Sequence, residues 1–149
     1  RSNDKAVRDK LIASIERVAK GIGAANGLPD DKLPIVKVTE STPVTVNDAA
    51  LARRLNTAIG NALGPDVVVP FKQTGMGAED FAFFIDPSFG IPGYYFGVGG
   101  TKPEWKQAAL NGGPPVAGHH SPLFKIDPEP SVRLGIEAMT AAVLDLLKK

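Results

Sequence analysis

The chain contains no cysteine, so it has no disulfide framework and no thiolate to hold a metal ion, and the redox character of its compartment is left open. It has no run of lysine or arginine either. Its 17 basic and 16 acidic residues nearly cancel, to a net charge of +1. Without a basic stripe to follow a phosphate backbone, no nucleic-acid partner is expected. No apolar stretch approaches the length a bilayer demands and no signal-peptide pattern is read at the start, so no membrane partner is expected. Two catalytic signatures are missing as well. The absence of Gly-x-Ser-x-Gly removes a nucleophile elbow. Gly97-Val98-Gly99-Gly100 lacks the Lys-Ser/Thr sequel of a phosphate-binding loop. Histidine is scarce, with only His119 and His120, side by side.

What is present suits one ordinary globular domain: 149 residues, 43% hydrophobic and 22% charged. Val7, Leu11, Ile12, Ile15, Val18, Ala19 and Ile22 recur at steps of three and four and predict an amphipathic helix. Ser2, Asn3 and Asp4 are candidate N-caps, and Gly21, Gly23 and Gly27 candidate stops. Residues 35–40 alternate apolar and polar as a half-buried strand does. After a break at Ser41 to Pro43, Asn47-Asp48 caps a second predicted helix along Leu51, Leu55, Ile59 and Leu63, and Gly64-Pro65 stops it. Val67 to Val69 reads as a short strand, and Tyr94 to Val98 as another. A long loop is expected from Thr101 to Gly118. Pro128 to Ser131 then opens a last helix with Val132, Ile136, Met139, Val143, Leu146 and Leu147 as its buried face. This alternation predicts an α/β layer architecture with a sheet too thin to stand alone.

The candidate chemistry centres on Gly118-His119-His120-Ser121-Pro122-Leu123-Phe124. Imidazole is the commonest metal ligand and a proline-bounded turn restricts its aim; an exposed surface histidine is the competing reading. Glu79-Asp80 follows the passage from Gln73 through Gly75 and Gly77 and opens a short helical stretch. Adjacent helical positions point about 100° apart, so this pair caps rather than chelates together. Gly97 and Gly99 end an aromatic strand, where glycine permits close approach of a ligand or of another segment.

Three motifs in order, Met76-Gly77-Ala78-Glu79-Asp80-Phe81, then Pro92 to Gly99, then His120-Ser121-Pro122-Leu123-Phe124, together resemble the C-terminal part of the metal-dependent N-acyl-amino-acid amidohydrolases. This is the hippurate hydrolase family of the aminoacylase and carboxypeptidase superfamily of metallopeptidases. The resemblance runs through essentially all of the chain. It implies a fold: the C-terminal part of a mixed-sheet catalytic domain with helices on its faces, over residues 44–149. Residues 1–43 would be the last helix and strand of a ferredoxin-like lid or dimerisation domain. The start at Arg1, directly ahead of a helix, fits the expectation that the chain is a segment of a longer protein.

The resemblance also implies a reaction, hydrolysis of the amide bond of N-acyl amino acids or small peptide-like substrates by metal-activated water. It implies two divalent ions, zinc or manganese, held by histidines, an aspartate and paired glutamates of which only His120 has a counterpart here. The catalytic glutamate has no counterpart, so this segment alone is expected to be inactive and to bind no metal tightly. Glu79 or Asp80 is the candidate to orient a metal ligand or accept the second imidazole proton of His120. Gly75, Gly77, Gly97 and Gly99 are candidates to line the substrate cleft, and His119 is expected to be an exposed neighbour. The implied partners are the substrate, the N-terminal part of the same enzyme, and a second copy through the lid. A catalytically silent binding or dimerisation module is the alternative.

Overall fold

The computed structural model describes residues 1–71 and 75–148. Lys72, Gln73 and Thr74, where the glycine-containing passage begins, and Lys149 lie outside the described residues. The described residues form four α-helices: α1 (Lys5–Ala25), α2 (Ala49–Leu63), α3 (Pro103–Leu110) and α4 (Pro128–Leu146). Short 3-10 turns lie at Asp30–Lys32, Pro65–Val67, Asp80–Phe83 and Pro87–Phe89. No β-strand occurs among the described residues. The α/β expectation, a mixed-sheet catalytic domain with the last helix and strand of a ferredoxin-like lid, is therefore corrected: the regular structure of the described residues is helical.

One physical reason covers the three expected strands. Alternating apolar residues specify an extended segment with a face to bury, but a strand exists only when its amides and carbonyls find a neighbouring backbone. None of residues 35–40, 67–69 and 94–98 forms such a ladder. Tyr94 and Phe96 satisfy their alternation in another way. Their rings stack at 5.5 Å and both pack against the buried core of α2 and α4. Ile35, by contrast, stays 79% exposed.

The chain divides into two compact units, Arg1–Asp48 with Phe71–Gly93, and Ala49–Pro70 with Tyr94–Lys149. In the first, α1 is closed at both ends by its own sequence. The Asp4 carboxylate accepts the Val7 amide at 3.0 Å, satisfying one of the orphan donors of the first turn. At the far end Gly27 sits at φ +78. The Gly27 amide bonds the Ala24 carbonyl at 2.9 Å and the Leu28 amide bonds the Gly23 carbonyl at 3.1 Å, the paired closure of a Schellman motif. Gly23 does not stop the helix. It lets the returning chain close in, since a Cβ there would lie 2.6 Å from Pro34 Cδ. Further ties are the Arg8 guanidinium to the Thr42 carbonyl at 2.8 Å and the Asp48 amide to the Gly93 carbonyl at 2.9 Å.

The second unit is built on the α2–α4 pair. Leu55 and Ile59 of α2 and Ala138 and Ala142 of α4 are buried together, flanked by Leu51, Leu63, Val67 and Val68. The predicted apolar line of α2 is thus its packed face. For α4 the expectation is corrected. Its small residues are buried, while Val132, Ile136, Met139, Val143, Leu146 and Leu147 lie exposed, Ile136 at 63% and Leu147 at 72%. Both sides of α4 are apolar, so periodicity could not rank them, and alanine admits the closer approach of α2. The Arg54 guanidinium fastens the ends of the pair, at 2.7 Å from the Asp145 carboxylate and 2.6 Å from its carbonyl. That hydrogen bond, with help from Lys148, holds the Asp145 carboxyl below its usual range. The Tyr94 hydroxyl donates to the Asn56 side chain, and burial raises its pKa.

Much apolar surface is left uncovered. The chain exposes 11806 Å², against about 7,300 Å² for a compact folded protein of its mass. Even two separate compact bodies sharing that mass would expose about 8,800 Å².

Candidate functional site

The approach to the histidine turn is helical where a long loop was expected. Pro103 stands in the first turn of α3 and Glu104 beside it, both favoured at a helix start. The helix ends where the Gly112 amide bonds the Ala109 carbonyl at 3.3 Å and the Gly113 amide bonds the Ala108 carbonyl at 2.9 Å. Eight residues with few large apolar side chains leave little periodicity to read, which is why the element was missed. Trp105 of α3 lies against the segment beyond the turn: the Lys125 ammonium is 4.4 Å from the ring centroid, within cation–π range. The Lys102 ammonium is 5.7 Å from the same ring and 3.7 Å from the Asp127 carboxylate. The two flanks of the turn are therefore tied together through a residue the sequence reading had not singled out. Its signal was that it is the one tryptophan.

Between those flanks, residues 118–121 make a tight reversal. The Ser121 amide bonds the Gly118 carbonyl at 3.4 Å. His120 stands at φ +67, alone among the described non-glycine residues in having a positive φ. A negative φ at the first central position and a positive one at the second is the pattern of a type II turn, which favours glycine at the place His120 occupies. Beyond it, the Ser121 side chain accepts the Leu123 amide at 3.2 Å and its carbonyl accepts the Phe124 amide at 3.0 Å. The imidazole of His119 packs on the Phe124 ring, with centroids 4.6 Å apart. His119, as expected, and His120 are both exposed.

The other candidates fall in two groups. Gly97, Gly99 and His120 belong to the second unit; Gly75, Gly77, Glu79 and Asp80 belong to the first. Glu79 caps the Asp80–Phe83 turn, its carboxylate accepting the Phe81 amide at 3.4 Å, and Asp80 is exposed. A Cβ added at any of Gly75, Gly77, Gly97 or Gly99 would meet no atom within 4 Å. The tight approaches of this segment lie at Gly93 and Gly100, where a Cβ would run into Ile85 and Ile126 respectively. The Gly99 and Gly100 carbonyls have a visible structural task, accepting from the Ser131 hydroxyl at 3.0 Å and the Asp127 amide at 2.8 Å at the start of α4.

Among the described residues no group of three or more His, Asp or Glu side chains could hold a metal ion. A catalytic zinc needs about three protein ligands, so the residues described do not by themselves fit one.

No family model matches the chain, and no solved structure matches it. Among curated proteins, it is 31% identical over 127 residues to a protein of Bacillus subtilis (strain 168) described as "Putative amidohydrolase YhaA". The match takes in 85% of this chain and 28% of that relative, so the chain spans little more than a quarter of the relative's length. The similarity supports a general relationship to amidohydrolases.

Proposed function

We propose that the chain is part of a metal-dependent amidohydrolase that cleaves N-acyl amino acids or small peptide-like amides. In this reading His120 supplies one ligand to a pair of divalent ions, zinc or manganese. The other ligands and the catalytic glutamate come from polypeptide outside this chain, and the chain alone is inactive. The amidohydrolase relative matched over 85% of the chain carries the proposal. His120 supports it locally: an exposed imidazole occupies a turn position that favours glycine, and residues kept in unfavourable backbone conformations cluster at functional sites.

The test is hydrolysis of N-acetyl and N-benzoyl amino acids by the complete protein, with and without chelator. Activity that disappears with chelator and returns with zinc or manganese is expected, and His120→Ala should lower it by no less than the about 10–100-fold that losing a ligand's own hydrogen-bonding partner costs. Chelator-resistant hydrolysis, or a His120→Ala variant at full activity, would overturn the reading. Glu79→Ala and Asp80→Ala should each reduce activity if these carboxylates orient a ligand; normal activity in both removes that role. The alternative, a silent interaction module, is favoured by one observation, the exposed apolar line along α4. A complete protein that hydrolyses none of these substrates but still binds a partner would establish it.

A further inference from the structure

We propose that His119 is a positioning residue: its imidazole, packed on Phe124, holds His120 in the left-handed backbone conformation. The inference deepens the reading of His120 as a metal ligand and rests on it for its purpose, though not for its geometry.

A side chain with a Cβ is disfavoured at positive φ, histidine less so than most, and its surroundings help to hold the backbone there. The bonds around the turn show what does so. Downstream, Ser121 ties the Leu123 and Phe124 amides to itself, at 3.2 and 3.0 Å, and Pro122 fixes its own φ. Upstream, the single tie between backbone groups is the Gly118 carbonyl to the Ser121 amide, long at 3.4 Å. That bond is too weak to hold the reversal alone. Trp105 ties the flanks further out, and the constraint that acts next to His120 is the His119 ring on Phe124, with centroids 4.6 Å apart and planes tilted by 32°, an ordinary separation for interacting aromatic rings.

This contact joins the residue before His120 to the residue four after it, so it closes the turn across His120. With residues 119 and 121–124 both fastened, His120 takes up the remaining rotation. The two histidines then divide the work. His119 is committed to an aromatic neighbour, where its ring serves as a flat surface, and His120 keeps its nitrogens for a ligand. An alanine at 119 would free the turn, whereas a phenylalanine would keep the ring contact and remove both nitrogens.

NMR of the chain separates these roles. The readouts are the strong intraresidue amide-to-Hα Overhauser effect that a positive φ produces at residue 120, and the broadening of its signals by added Ni²⁺. Wild type and His119→Phe should share the Overhauser signature, His119→Ala should lose it, and its apparent Ni²⁺ affinity at His120 should fall about threefold through lost preorganisation. If His119→Ala keeps the signature, or His119→Phe loses it, the clasp is overturned. Broadening that vanishes in His119→Phe also overturns it, because His119 would then be the ligand. If the signature follows the prediction but His120→Ala leaves the activity of the complete protein unchanged, the clasp stands and the metal-ligand reading of His120 fails.

Discussion

Helices α1 and α4 look alike in sequence, each a long amphipathic segment with a row of large apolar residues, yet they are held in different ways. Among its described residues α1 buries only Gly23, and its place is fixed by its ends: the Asp4 cap, the closure at Gly27 and Leu28, and the approach of Leu33 and Pro34 to Gly23. Its row of Val7, Leu11, Ile15, Val18 and Ile22 is exposed. Helix α4 is held by a face, with Ala138 and Ala142 against Leu55 and Ile59. Its own row of large residues is equally exposed. The difference teaches that side-by-side packing follows from having a partner helix. Given one, the small residues made the closer fit.

The contrast can be broken most forcefully at the packed face. Ile59→Ala should cost about 2–5 kcal/mol, and amide exchange should accelerate in both α2 and α4; loss of protection in α2 alone would mean the two helices do not share a core. The end-held helix offers the next test. Gly23→Val must push Pro34 away from a position 2.6 Å from the new Cβ, an overpacking of about 1–3 kcal/mol. It should show as faster exchange in the last turns of α1, and an unchanged pattern would dismiss the close approach as a stabilising feature.

A smaller effect is expected from Asp145. Its carboxyl is held below the ordinary value of 3.8 first by the Arg54 hydrogen bond. A folded-state pKa below the unfolded one contributes stability that is present above the ordinary carboxylate range and is lost as pH falls through the folded value. Asp145→Asn should therefore be less stable than wild type near pH 7, and in denaturant titrations the two should converge as pH falls through the folded-state value. A gap that persists in acid would assign the effect to packing. The smallest change is predicted where the sequence pattern alone would expect a large one: Ile136→Lys, on the exposed row, should alter unfolding free energy by no more than about 0.5 kcal/mol. A loss of several kcal/mol would place that row in a core after all.

Legibility varied with the range of the interactions involved. Helices α1 and α2 were readable because caps and stops act within a few residues; Asp4, Gly27 and Gly64 stand where their local chemistry puts them. Short α3 was not, having too few apolar residues to show a period. The turn at Gly118 to Phe124 could be located from its glycine and proline. The left-handed backbone at His120 and the ring contact of His119 could not, since both depend on Phe124 folding back on the turn.

By itself, then, the sequence determined where α1, α2 and α4 run, because helix caps, proline and side-chain periodicity are local properties. The tertiary structure alone decided that the segments at 35–40 and 94–98 form no sheet and that α4 packs Ala138 and Ala142 while its Ile136 and Met139 stay outside. It also decided that the His119 ring lies on Phe124 and that His120 takes a positive φ. Each of these depends on which surface comes to lie opposite, and a residue's own neighbours in the chain do not carry that information.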